Sequence, residues 1–297
     1  VRRYIAYPVH NPLMQVWISH WVGRYDEILV KFSTPFYLAS MSLYLYAAAG
    51  REISRIVGLA LLVFFLSSPL MSYHATEVYS DLPLGAYLMF SLAALLNAMR
   101  GRRAYWSLAG LFAAQALFTK DEALFFSAPL LLSALVFIWR GGGSRTDRLR
   151  TAAAMLGPVL FAAPWYAFKI YHGLGLGADT ARLEFTFHPE IAAPVLRAIL
   201  SLENFNVFFV FLPALLLIGG RPAGWLLHLL FAPACYACFF LMLYVFTPLY
   251  FQTFREAFFR NALTLYPAVA LLTALLLKSS GAVQARTGGP EHGGVVS

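Results

Sequence analysis

Nine apolar stretches separated by short polar turns run through this chain of 297 residues. They fall at 28–49, 56–71, 82–99, 104–118, 123–139, 151–168, 207–218, 224–246 and 262–277. A helix crossing ~30 Å of hydrocarbon needs about 20 apolar residues at 1.5 Å each, so several stretches are short but all have the right character. Only 12% of the residues are charged and 60% are hydrophobic, where a soluble domain carries about a quarter charged residues. Aromatic residues at 16% suit interfacial belts. The sequence therefore predicts an all-α, polytopic transmembrane helical bundle.

The polar turns are sorted by charge. Segments 51–55, 100–103, 140–150, 219–222 and the tail from Lys278 fall on one side and hold 12 of the 22 Lys and Arg. Segments 1–27, 72–81, 119–122, 169–206 and 247–261 fall on the other and hold 11 of the 14 Asp and Glu. Positively charged loops stay cytoplasmic, so the acid-rich side is expected outside the cell membrane. The chain reads as one transmembrane domain, 1–278, followed by a disordered cytoplasmic tail, 279–297, rich in Ser and Gly.

Several functions are disfavoured. The net charge of +8 resides largely in the turns, where topology explains it, so nucleic acid is not an expected partner. Cys235 and Cys238 lie one helical turn apart within an apolar run, a context unlike a zinc or redox site. No internal repeat or matched pair of broken helices stands out, which weakens a transporter reading.

The acid-rich side carries three constellations. Thr119-Lys120-Asp121-Glu122 interrupts two short spans. A charge at mid-membrane costs about 3 kcal/mol on insertion scales, so these residues should reach the interface or line a wet cavity. Thr119 and Glu122 also have the spacing of a capping box. In the segment 72–83, Glu77 and Asp81 flank a short loop beside His74 and Tyr79. Such carboxylates could share a divalent cation, or one could act as base while the other orients it. Asp81 also has the position of an N-cap, with Pro83 in the first turn. Arg255, Glu256 and Arg260 close the set. These arginines can be snorkelling anchors or hold a phosphate through paired hydrogen bonds. Asp26 and Glu27 suit the start of the first span. The glycine run 173–179 reads as a flexible loop, and the apolar spacing of Ile191, Val195, Ile199 and Leu202 as an interfacial helix that could roof the site.

Together these residues resemble the GT-C fold glycosyltransferases that use polyprenyl-phosphate sugars, in particular the protein mannosyltransferase-like and aminoarabinose-transferase-like family. The resemblance rests on His10-Asn-Pro-Leu at 10–13, Ser-Asp-Leu-Pro-Leu at 80–84 and Leu-Phe-Thr-Lys-Asp-Glu at 117–122. Ala-Pro-Trp-Tyr at 163–166 and Arg260 followed by Leu-Tyr-Pro at 265–267 complete it. It covers most of residues 8–277, in matching order and sidedness.

The resemblance implies sugar transfer from a polyprenyl-phosphate donor to a lipid, glycan or protein acceptor at the outer membrane face. Asp81, with Glu77 second, would be the acidic site residue. Lys120, helped by Arg260 and Arg255, would meet the donor phosphate, and His10, His74, Tyr79, Asp121 and Glu122 would line the site. No metal ligand set is implied, although a divalent cation is compatible. The rival readings are a multi-pass transporter or lipid flippase, which places ionisable residues in mid-span, and a non-catalytic subunit that presents lipid to a partner. The family's first outer loop carries an acidic residue, often Asp-Glu, just after the first helix, which serves as base. Residues 1–27 resemble the remainder of that loop, and Asp26-Glu27 do not match the acidic position. The upstream reading frame is expected to encode one more span followed by an acidic pair; a start codon at position 1 would overturn this.

Overall fold

The computed structural model describes residues 8–174, 186–200, 205, 208–218, 224–246 and 258–279. Helices dominate, and no strand occurs among these residues. Helices α1 (His10–Val22) and α2 (Glu27–Lys31) precede α3 (Ser33–Glu52), and α4 (Arg55–Leu66) and α5 (Pro69–Ala75) follow it. Next come α6 (Asp81–Met99), α7 (Tyr105–Thr119) and α8 (Leu124–Arg140). Helices α9 (Arg145–Leu156) and α10 (Ala163–Tyr171) are joined by the 3₁₀ turn Gly157–Ala162. The last are α11 (Ala192–Leu200), α12 (Phe208–Ile218), α13 (Gly224–Phe246) and α14 (Phe259–Ser279).

Each of the nine apolar stretches contains helix among its described residues. Six segments are long and apolar enough to cross a membrane: Glu27–Glu52, Asp81–Met99, Asp121–Arg140, Arg145–Tyr171, Gly224–Phe246 and Phe259–Ser279. The chain is thus a multi-pass membrane protein. The remaining three stretches depart from simple spans. The second bends by 71° between α4 and α5, because Ser68 starts a new helix there. Its hydroxyl accepts the Met71 N–H at 3.4 Å, and Pro69 occupies the first turn. The fourth, α7, has 15 residues and the seventh, α12, has 11.

Local chemistry also moves two other boundaries. Asp26 caps α2 as expected for the start of the first span, accepting the N–H groups of Ile28 and Leu29. The segment 140–150 is not all turn, because Ser144 accepts the Asp147 N–H at 3.1 Å and starts α9 six residues before the expected span. Within 1–27, residues His10–Val22 form a helix. Of the tail 279–297, only Ser279 is described, at the end of α14.

Helices α6 and α14 are the centre of the bundle. Of their most apolar stretches 83% and 78% is buried, against 22–44% for the other four spans. Without a hydrophobic drive between helices in lipid, close backbone approach has to supply the packing. A Cβ on Gly85 of α6 would stand 3.2 Å from the Thr264 carbonyl oxygen of α14. On Gly110 of α7 it would lie 1.8 Å from the backbone oxygen of Met155 in α9.

At the arginine-rich end, three helix ends are tied to one carboxylate. The Glu52 side chain, 6% exposed, binds Arg100 at the end of α6 and Lys278 at the end of α14, the latter at 2.6 Å. Arg100 also lies over the Trp225 ring of α13, 5.7 Å from its centre.

Gly110→Ala should destabilise the bundle by about 2 kcal/mol or more, because the obstructing atom is backbone and cannot rotate away. Gly157→Ala, whose Cβ would meet nothing within 4 Å, should be nearly neutral. Thermal unfolding in detergent checks both, and equal midpoints for the two variants would contradict the packing account.

Candidate functional site

Asp81 is the first residue of α6, and its side chain is completely buried. A carboxylate there is favoured by the positive end of the helix dipole, yet it is not the N-cap that its position suggests. Ser80 holds that place, with no side-chain capping bond. The carboxylate turns into the bundle. Lys120 donates to Oδ1 at 3.0 Å. Arg260, in the first turn of α14, donates to Oδ2 from Nε at 2.9 Å and reaches it with Nη2 at 2.8 Å. His74 of α5 brings Nδ1 to 3.9 Å from the same oxygen, and that nitrogen has no hydrogen-bond partner among the described residues. Pro83 sits in the first turn of α6, where its missing N–H costs nothing.

The interruption at 119–122 explains how Lys120 arrives. Lys120 adopts extended backbone between α7 and the 3₁₀ turn Asp121–Ala123, with φ −153° and ψ 145°. The expected capping box does not form: Thr119 Oγ1 donates back to the Gln115 carbonyl at 2.6 Å. Released from helical geometry, the three charged side chains part. Lys120 reaches Asp81 and also lies 3.2 Å from Glu122. Asp121 instead forms a buried ion pair with Lys169 of α10.

Of the two cations on Asp81, Arg260 is the accessible one. Its side chain is 38% exposed, and its guanidinium lies 4.7 Å from the centre of the Tyr79 ring. Binding Asp81 through Nε and Nη2 leaves Nη1 outside that contact, so the group can hold Asp81 and an anion together.

The expected site residues therefore divide. The structure brings together Asp81, Lys120, Arg260, His74, Glu122 and Tyr79. Glu77 is separate: it pairs with Lys31 at 3.6 Å, as does Glu27. His10 anchors another group, in which Nε2 meets the Tyr87 hydroxyl at 3.0 Å and that hydroxyl meets Tyr37 at 2.9 Å. Burial pushes the His10 imidazole below its ordinary pKa against the opposing Asn11 hydrogen bond. Arg255 and Glu256 lie outside the described residues, as do residues 175–179 of the glycine run. Of the expected interfacial helix, Pro189–Ile191 forms a 3₁₀ turn and α11 follows to Leu200, with Ile191 and Val195 buried; Leu202 lies outside the described residues. Cys235 and Cys238 are free thiols in α13.

Lys169, Tyr37 and Tyr87 were not singled out in the sequence. Lys169 had a readable signal: a lysine at the end of an apolar run needs an anion nearby. The two tyrosines had none, since aromatic residues are common in such spans.

A cavity of about 460 Å³ adjoins the cluster, lined by Asn11, Gln15, Tyr79, Ser80, Thr119 and Trp165 together with Pro8, Val9, Pro12, Val78 and Phe168. Tyr79 and Ser80 precede Asp81, and Thr119 precedes Lys120. Among the described residues no group of three or more His, Cys, Asp or Glu is placed to hold a metal ion. Both Asp81 oxygens already face cations.

A multi-pass helical bundle with a buried ionic cluster near a cavity of mixed polar and apolar lining defines the class of membrane protein to which the chain belongs. Residues 17–168, just over half of the chain, match the family described as dolichyl-phosphate-mannose-protein mannosyltransferase. The chain belongs to this family and is a membrane glycosyltransferase of the GT-C type. No curated protein and no solved structure matches it.

Breaking a buried ion pair by removing one partner costs roughly 3–5 kcal/mol. Lys120→Met and Asp81→Asn should each fall near the low end, because a counter-charge remains in both. The double variant should cost clearly less than the sum of the two. Thermal unfolding of the four proteins checks this, and strict additivity would mean that the pair is not coupled.

Proposed function

We propose that the chain transfers a sugar from a polyprenyl-phosphate donor to a lipid, glycan or protein acceptor at the outer face of the cell membrane. The observation that carries this reading is the pairing of Lys120 and Arg260 on one fully buried carboxylate, with Arg260 still partly exposed and lying over Tyr79, a residue of the cavity wall. In this scheme the bond between the anomeric carbon and the phosphate oxygen breaks, and the acceptor hydroxyl or amine attacks that carbon. The acceptor proton passes to a carboxylate, and the departing phosphate gains negative charge. Fixed cations nearby stabilise it without reorganising.

Asp81 is the in-chain acidic residue of this scheme. It holds Lys120 and Arg260 against their mutual repulsion and places negative charge near an oxocarbenium-like carbon. Glu77 is the second acid of the segment. Arg260 receives the phosphate, with Lys120 behind it and Arg255 as a further candidate. His10, His74, Tyr79, Asp121 and Glu122 complete the surroundings. The acid-rich end lies outside and the tail inside, by the charge sorting of the turns. A flippase would need ionisable groups along a path through the bundle, whereas this cluster gathers where α6 and α14 begin and α7 ends.

Full-length protein reconstituted in liposomes with labelled polyprenyl-phosphate sugar should move label to an acceptor. Asp81→Asn and Lys120→Ala should each lower turnover at least tenfold, about 1.4 kcal/mol. Wild-type rates in both would refute the assignment. Movement of donor across the bilayer without transfer would favour the flippase.

A further inference from the structure

Lys169 stands two residues before the end of the span Arg145–Tyr171, where a lysine ordinarily extends its stem and carries its charge into water. It does the opposite. Its side chain is 3% exposed and turns into the bundle to meet Asp121, which is 7% exposed. A buried lysine and carboxylate are costly to desolvate and stay enclosed only in close contact. An interfacial anchor does not account for such a pair.

Asp121 is the next residue after Lys120, whose ammonium has two acids within reach: Asp81 at 3.0 Å and Glu122 at 3.2 Å. Deprived of Lys169, Asp121 would seek another cation, and the ammonium beside it in the chain is that of Lys120. A carboxylate enclosed in the bundle needs its counter-charge as strongly as Asp81 does, so the two acids would compete. Lys169 removes the competition. It holds Asp121 toward α10 while Lys120, in extended backbone, reaches across to α6. The α7–α8 junction is thereby held from two sides, by ion pairs that leave adjacent residues in different directions.

We infer that Lys169 is a positioning residue of the site: by claiming Asp121 it keeps Lys120 on Asp81. It acts through Lys120 and has no contact with the phosphate itself. Its effect on the Lys120–Asp81 pair stands without any substrate, whereas its effect on turnover rests on the transferase reading above.

The coupling between Lys120 and Asp81 is a readout that a general loss of packing would leave in place. In full-length protein in detergent, the losses in Tm of Asp81→Asn, Lys120→Met and the two together show how far the pair falls short of additivity. In a Lys169→Met background that shortfall should drop by about half or more. Lys169→Arg, which keeps the charge, should preserve it. Adding Asp121→Asn to Lys169→Met removes the competing acid and should restore most of the shortfall. An undiminished shortfall in Lys169→Met would overturn the inference, and so would a diminished one that Asp121→Asn leaves unrestored. If Lys169→Met does not fold, Lys169→Gln, which can still donate to Asp121 but carries no charge, takes its place under the same criteria. Turnover of labelled polyprenyl-phosphate sugar by the same proteins keeps the two levels apart. Lys169→Met should lower it at least tenfold, with Lys169→Arg within about threefold of wild type. A diminished shortfall with wild-type turnover in Lys169→Met would overturn the positioning role, whereas the expected shortfalls with no transfer by the wild type would sink the transferase reading alone.

Discussion

A single buried carboxylate governs the acid-rich end of this protein. Asp81 is fully enclosed, and such a group is tolerated in a bundle only with its counter-charges in contact. Those counter-charges come from distant parts of the sequence: Lys120 from the α7–α8 junction and Arg260 from the start of α14. Satisfying Asp81 therefore fixes where three segments end. Helix α7 ends where Lys120 turns to extended backbone and reaches Asp81. The cluster is costly to desolvate, so removing one of its partners leaves a buried charge uncompensated.

The helical bundle was readable because it follows from apolar length and charge sorting, which are additive along the chain. The residues of the cluster were readable as well. Charges at the end of an apolar run are conspicuous, and Asp81, Lys120 and Arg260 each stand at such an end. Their pairing was not readable, because Asp81 and Arg260 are 179 positions apart and nothing in one sequence links them. Local rules misled at both capping positions. Asp81 and the Thr119–Glu122 spacing each fit an N-terminal cap, yet the desolvation of a buried charge outweighs a cap worth about 1 kcal/mol. The pairing of Glu77 with Lys31, on another helix, is equally invisible to local rules.

The family match covers the stretch that contains Asp81 and Lys120, and Arg260 lies beyond it. The geometry joins the two parts. Helix α14 returns to the centre of the bundle and supplies the exposed cation, so the C-terminal third contributes to a site whose other members come from the matched region. The cavity wall has the same character of assembly, since Asn11 and Gln15 of α1 line it together with Ser80 and Thr119.

Helices α6 and α14 are pinned at both extremities, by Asp81 with Arg260 at one and by Glu52 with Arg100 and Lys278 at the other. From Asp81 to Arg100 is 19 positions along the chain and from Arg260 to Lys278 is 18, or about 28 Å of helix. The central pair thus behaves as a gauge of fixed length, close to the ~30 Å of an average hydrocarbon layer. A bilayer thicker or thinner than this gauge must adapt to the protein or strain its ionic ends, so membrane thickness itself becomes a variable acting on the site.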